Sequence, residues 1–231
     1  MKEIHYRDIF WIFLLGNVLG VLVEGVWCRL KYGRWETHTV AIWGPFNLVY
    51  GLGAPVLYVG SILLGGVHWA ARFALLALLG SLVEYLCGVI LRAATGMQAW
   101  DYSDQFLNIQ GLVSLRMTLV WGLLGLGFDR FLLGPLGKVL PLMNRPVLNL
   151  LCAVLTVFLA VDLSLTAACV LRWANRHRHR PAANRFSAWL DRHYPDWKMR
   201  QKFYYWYFLD EPARPGGRGC RRYPEDFLPE T

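Results

Sequence analysis

Leu19-Gly20-Val21-Leu22-Val23-Glu24 and, 60 residues later, Leu79-Gly80-Ser81-Leu82-Val83-Glu84 are near copies, identical at five of six positions. Each puts a glutamate inside an apolar run. A carboxylate in hydrocarbon is expensive and by default marks a functional position. Leu, Val and Gly recur cheaply in apolar runs. A glutamate in the same register does not, so the pair reads as a candidate duplication.

Apolar runs extend outward from both copies. They cover roughly Ile9 to Cys28, Trp43 to Val67, Phe73 to Leu91, Leu112 to Leu133 and Val147 to Leu171. These runs approach or exceed the roughly 20 residues that a helix needs to cross a bilayer. The 231 residues are 55% hydrophobic and 17% charged, too little charge to cover a soluble domain in which 15% of residues are aromatic. The expected fold class is all-α: a polytopic helical membrane protein of about five transmembrane helices, with a candidate parallel two-helix repeat and a cytoplasmic basic tail. Residues 1–171 form the expected transmembrane domain, with repeats at 9–67 and 73–133 and a fifth helix at 147–171. Residues 172–231 form the tail. A sixth membrane-embedded segment near residues 93–111 is the alternative count.

The first run does not read as a cleaved signal peptide. It carries Asn17 and Glu24, lacks a small-x-small cleavage site and is followed by comparable runs. The second run holds Pro45, Asn47, Pro55 and six glycines, so a kinked or partly broken helix is expected, tolerable where neighbours satisfy the backbone. Cys28, Cys87, Cys152, Cys169 and Cys220 have no metal-ligand spacing. Four lie in or beside apolar runs, where cysteine acts as a small hydrophobe. No disulfide, metal or cofactor is assigned.

Positive charge orients the chain. Arg172, Arg176, Arg178, Arg180 and Arg185 follow the last run, which makes the tail cytoplasmic and, over five spans, the N-terminus external. Arg29, Lys31 and Arg34 then fall inside, in agreement; Arg130, Lys138 and Arg145 fall outside, against it. In this orientation Glu24, Glu84 and Asp162 all approach the inner ends of their spans. Spans two and four begin on that side, at Trp43 to Asn47 and Gly111 to Arg116. The expectation is a common cavity open to the cytoplasm, with Glu24, Asn47, Glu84 and Asp162 on its wall. Parallel repeats occur in transporters, with substrate sites at the repeat interface. Asn17 and Asn47 could crosslink helices, and Gly16 and Gly20 offer a close helix contact. Asp162 reads two ways, as the partner of an arginine or as the cap of a kink.

The polar chemistry concentrates in Met97-Gln98-Ala99-Trp100-Asp101-Tyr102-Ser103-Asp104-Gln105-Phe106-Leu107-Asn108-Ile109-Gln110-Gly111. Asp101, Asp104 and Asn108 could take hydrogen bonds from Arg92 or Arg116, or ligate a hard cation through oxygen. The competing reading is an interfacial loop of side-chain-capped turns. Arg116 could pair with Glu84 or Asp101, or clamp an anionic headgroup or phosphate.

From Arg172 onward the chain has 13 Lys or Arg against 7 Asp or Glu. Phe186, Trp189, Leu190 and Tyr194 have the spacing of an amphipathic helix lying on a membrane. Phe203-Tyr204-Tyr205-Trp206-Tyr207-Phe208 follows Lys198, Arg200 and Lys202, a combination suited to an anionic inner leaflet. His177 and His179 read as solvated. No nucleic-acid-binding fold frames the charge, so no nucleic-acid partner is expected.

Glu24, Gly44-Pro45, Tyr50-Gly51-x-Gly53, Glu84-Tyr85, Trp100-Asp101-Tyr102-Ser103, Asn108-Ile109-x-Gly111 and Trp121-Gly122 together resemble the bacterial putative ABC-transporter type IV (CmpB-like) integral membrane protein family. The resemblance covers about residues 8–130, and the WDYS…N-I-x-G block is its specific part. Two departures stand out. The family's Asn-Arg-Gly approach to the second span is Thr39 to Gly44 here, and its Gly-Arg after the WDYS block is Gly111-Leu112. Arg116, one turn later, either substitutes for that arginine or the role is lost. The resemblance implies a multi-pass protein of the bacterial inner membrane.

Three function classes follow. The first is a permease-like protein moving a cation, a cationic solute or a lipid. The chain has no Gly-x-x-x-x-Gly-Lys-Ser/Thr phosphate loop, so transport would draw on an ATPase partner or an ion gradient. The second is a structural or regulatory membrane subunit. The third is a membrane-embedded enzyme acting on a lipid or phosphorylated carrier, for which no catalytic residue can be named.

Overall fold

A computed structural model describes residues 4–33, 35 and 38–211. Arg34, Cys220 and the end of the tail lie outside the described residues. Among the described residues five apolar helical stretches follow one another: α1 (Tyr6–Tyr32), α2 (Leu48–Leu63), α3 (Trp69–Thr95), α4 (Leu115–Gly127) running on into α5 (Leu133–Leu142), and α6 (Pro146–His177). Four of them, all but α2, are long and apolar enough to cross a membrane. The tail adds α7 (Arg185–His193) and α8 (Asp196–Lys202). Among the described residues the one sheet is a two-stranded ribbon, in which β1 (Met97–Gln98) pairs antiparallel with β2 (Tyr207–Phe208).

Local chemistry sets the helix ends. Asn47 caps α2 by accepting the Val49 N–H at 3.0 Å, so the second span starts at Leu48, and Trp43 to Asn47 is irregular chain. That leaves α2 with 16 residues, about 24 Å at 1.5 Å per residue. It remains helical through Pro55, without the break its proline suggested. α3 stops where Gly96 takes φ +74°, its N–H bonding back to the Arg92 carbonyl at 2.8 Å. A glycine accepts that left-handed geometry without a Cβ penalty. Beyond β1, residues 99–114 are non-helical, so no sixth helix occupies 93–111. α4 begins after Ser114, whose side chain caps it. The five-residue π-helical stretch Phe128–Leu132 widens the span before α5, and Asp129 within it meets Arg72 of α3 at 2.5 Å.

Successive spans pack side by side, α1 on α2, α2 on α3 and α3 on α4. The ends of α1, α3 and α6 therefore gather with the starts of α2 and α4 at one end of the bundle, beside the tail. At the opposite end Arg7 donates to Asn144 Oδ1 at 2.6 Å, tying α1 to the α5–α6 turn.

Two apolar cores result. Ile12, Leu57, Tyr58, Leu76, Trp121 and Phe128 form one among the spans. The other, at the tail end, joins Cys169, Val170 and Trp173 of α6 to Leu190, Met199, Phe203, Trp206 and Phe208 of the tail. The tail thus departs from the expectation of a surface anchor. Phe203 and Phe208 are buried against α6, because α6 continues to His177 and offers an apolar face to receive them. Leu190 is buried and Phe186 exposed on α7, so that helix packs with one edge of its apolar face. His177 is not merely solvated: it stacks on Phe208 with ring centroids 3.6 Å apart and meets Asp210 at 2.9 Å.

Candidate functional site

Both glutamates lie at the tail end, and each is served from two directions. Glu84 is buried. Its Oε2 accepts the Trp121 indole N–H at 3.1 Å and its Oε1 accepts the Tyr102 hydroxyl at 3.0 Å. Glu24 accepts the His38 backbone N–H on Oε2 at 3.1 Å and pairs through Oε1 with His38 Nδ1. The Tyr50 hydroxyl also interacts with Glu24. Each carboxylate thus meets one aromatic residue from the helix that follows and one partner from the intervening loop. Such donors offset the cost of taking a carboxylate out of water.

The glycine four residues before each glutamate explains the aromatic. A Cβ at Gly20 would run into the Tyr50 ring, and a Cβ at Gly80 into the Trp121 ring. The bare backbone lets each ring come close against its helix and direct its polar group one turn on, to the acid. Gly16 meets Tyr50 and Ala54 in the same contact, where the small-residue spacing on α1 predicts close approach. The two sites also feel each other: Tyr50 and Tyr102 are each within electrostatic reach of both glutamates. Burial first, then Glu84, holds the Tyr102 phenol well above its usual pKa, so it remains a donor.

Asn47 and Asp162 fix the irregular chain between α1 and α2. The Asn47 N–H donates to Asn17 Oδ1 at 2.6 Å, and its side-chain amide donates to the His38 carbonyl at 2.6 Å. Asp162 is fully buried in α6. Its two oxygens take the backbone N–H groups of Trp43 at 3.0 Å and Gly44 at 2.8 Å. Thr166, one turn later, takes the Ile42 N–H at 2.9 Å. Asp162 therefore does neither of the two things expected of it. Among the described residues it pairs with no arginine, and the backbone that it caps belongs to another segment. Gly44 is required there, since a Cβ would strike the Phe46 ring and come within 3.0 Å of Asp162 Oδ2.

The other sequence-derived candidates lie apart from the glutamates. Asp101 closes a turn with the Ser103 N–H at 2.9 Å and accepts the Tyr207 hydroxyl at 3.2 Å. Asn108 braces the loop through the Ser103 and Gln105 carbonyls, both at 3.0 Å. Asp104 is exposed. Arg92 donates to Gln98 and Gln110 rather than to Asp101. Arg116 is exposed and lines an outer groove on α4. It pairs with neither Glu84, whose oxygens are taken by Tyr102 and Trp121, nor Asp101. Among the described residues no group of three or more His, Cys, Asp or Glu could hold a metal ion.

His38 is not read from the sequence, and Tyr50, Tyr102, Trp121 and Tyr205 are given no place beside the glutamates there, yet all five surround the acids. The helix after each glutamate carries the aromatic, but Tyr50 and Trp121 are 71 residues apart rather than 60, so the offset of the two copies does not point to them. Tyr205 seals the arrangement from the tail. Its hydroxyl donates to the Thr39 carbonyl at 2.7 Å, and its ring meets His38 edge-on with centroids 4.3 Å apart. Burial drives its phenol pKa far upward. Lys202 is shifted down by burial, against the opposing pull of Asp162.

A family model described as "Putative ABC-transporter type IV" matches residues 11–167. The match runs past residue 130 into α6 and takes in Glu24, both loops, Glu84 and Asp162. No curated protein and no solved structure matches the chain.

Proposed function

The chain belongs to the putative ABC-transporter type IV family, and from that premise we propose that Glu24 and Glu84 form the binding site of a permease for a cation, a cationic solute or a lipid. One observation carries this reading. Two glutamates from separate helices lie at the tail end of the bundle, Glu84 held by Trp121 and Tyr102 and Glu24 by His38 and Tyr50, with each tyrosine within electrostatic reach of both acids. A site of negative potential walled by aromatic rings suits a cation, which can use the carboxylates and the ring faces together. The matched glycine, aromatic and glutamate contacts of the two copies support a parallel duplication with the site at its interface.

In this reading the tail is cytoplasmic, in a bacterial plasma membrane, and the site opens toward it. The donors on the loops, His38 and Tyr102, are the movable ones. Tyr205 holds the first loop at Thr39 and Tyr207 holds the second at Asp101. Displacing the tail would release both loops and expose both carboxylates. An ATPase subunit acting on the tail side would supply the work, since this chain has no phosphate loop of its own.

A structural reading draws on the same hydrogen bonds, because carboxylates so well supplied with donors also stabilise a bundle. Gentle purification followed by mass spectrometry of co-purifying small molecules separates the two. A permease site retains a cationic or lipid molecule that the Glu24→Gln, Glu84→Gln double variant loses while staying folded. A structural network retains nothing in either protein and loses thermal stability in the variant.

A further inference from the structure

The first two turns of α4 carry an outward groove of about 530 Å³. Arg116, Leu119, Val120 and Leu123 line it at i, i+3, i+4 and i+7, a single stripe of the helix. Phe106 and Leu115 close the tail-side end, and Gln105 adds a polar edge. Phe106, in the loop before α4, and Leu123, in a span apolar enough to lie in lipid, are 75% and 65% exposed. The Gln105 Oε1 is occupied by the Ser114 hydroxyl at 2.7 Å, which leaves its NH2 as a donor.

Arg116 is the cation at the head of this stripe. It lies in the first turn of α4, at the positive end of the helix dipole, where a cation is unfavourable and an anion favourable. We propose that the groove seats an anionic phospholipid, its phosphate on Arg116 and Gln105 and one acyl chain along Leu119, Val120 and Leu123. Charge and shape favour this occupant together. The guanidinium stands at the end of the span, at headgroup level, and the apolar side chains run from it toward the middle of the bilayer. A guanidinium grips a phosphate through two parallel N–H bonds. The groove is separate from Glu24 and Glu84, so the inference does not depend on their role.

Native mass spectrometry of the full chain, released from micelles holding equal phosphatidylglycerol and phosphatidylcholine, tests it. The wild type should retain phosphatidylglycerol over phosphatidylcholine by about fivefold, what one basic residue near an anionic surface is worth. Arg116→Gln should abolish the preference, while Arg130→Gln, a change at another exposed arginine, should leave it intact. Leu123→Trp, which fills the groove and keeps the cation, should lower retention of both lipids. An unchanged preference in Arg116→Gln overturns the proposal. So does an equal loss in Arg130→Gln, which would mark general surface charge. Loss of the preference on adding inorganic phosphate would mark a free-anion site instead and also overturns it.

Discussion

The Trp121 indole N–H meets Glu84 Oε2 at 3.1 Å while its ring rests on Gly80, one turn earlier in the helix of the same glutamate. Glycine, ring and acid act as a unit, and the first copy repeats it with Gly20, Tyr50 and Glu24. The unit accounts for the spacing of the two near-identical hexapeptides. Each needs a bare backbone at its second position and an acid at its sixth.

Gly80→Ala should therefore destabilise the protein although alanine is the better helix former. Its Cβ would overlap the Trp121 ring, and such overpacking costs about 1–3 kcal/mol. Gly127→Ala is the control, since nothing lies within 4 Å of a Cβ there. It should be neutral or stabilising, by up to about 1 kcal/mol. Thermal unfolding in detergent reads both.

Tyr102→Phe removes one hydroxyl and little volume. Glu84 would keep only the Trp121 donor, and an under-satisfied buried acceptor costs about 1–3 kcal/mol. The melting temperature should fall. Tyr6→Phe, whose hydroxyl meets Thr156 at an exposed position, should change it by much less.

Asp162→Asn tests the tie between α6 and the 42–44 chain. An amide presents one oxygen where the carboxylate presents two, so either the Trp43 or the Gly44 N–H loses its acceptor. The cost is again about 1–3 kcal/mol. Proteolysis between α1 and α2 should quicken.

Much of this arrangement was legible in the sequence, for identifiable reasons. Hydropathy located the spans because lipid-crossing helices need long apolar runs. Counting them also gathered Glu24, Glu84 and Asp162 at one end. Hydropathy could not find the start of α2, because Trp43 to Asn47 is apolar in composition but is held open by the Asn47 cap and by Asp162. Nor could it pair the acids. Pairing with Glu84 was one of the alternatives open to Arg116, yet Trp121 and Tyr102 serve that acid, and a neutral donor leaves no charge pattern to read. The tail misled for a related reason: Phe203, Trp206 and Phe208 suit a membrane interface or a protein core equally well, and only the length of α6 decides for the core.

The docking of the tail on α6 should depend on pH. Asp191 is held below the ordinary carboxylate range, first by the hydrogen bond from Arg172 and then by Arg176. A depressed folded-state pKa stabilises fully above the unfolded value, and that stability is lost as pH falls through the folded one. Protease sensitivity of α7 should thus be flat near neutrality and rise below about pH 4, the unperturbed aspartate value. Asp191→Asn should be sensitive throughout.

Thiol accessibility tests the central claim, that the two glutamates share one site beneath the tail. Glu24→Cys and Glu84→Cys, each in a chain otherwise free of cysteine, can be exposed in sealed vesicles of either orientation to a membrane-impermeant cationic thiol reagent. Both should react only from the cytoplasmic face, and faster when Tyr205→Phe and Tyr207→Phe loosen the tail. Reaction of the two positions from opposite faces, or rates indifferent to the tail, would contradict that claim.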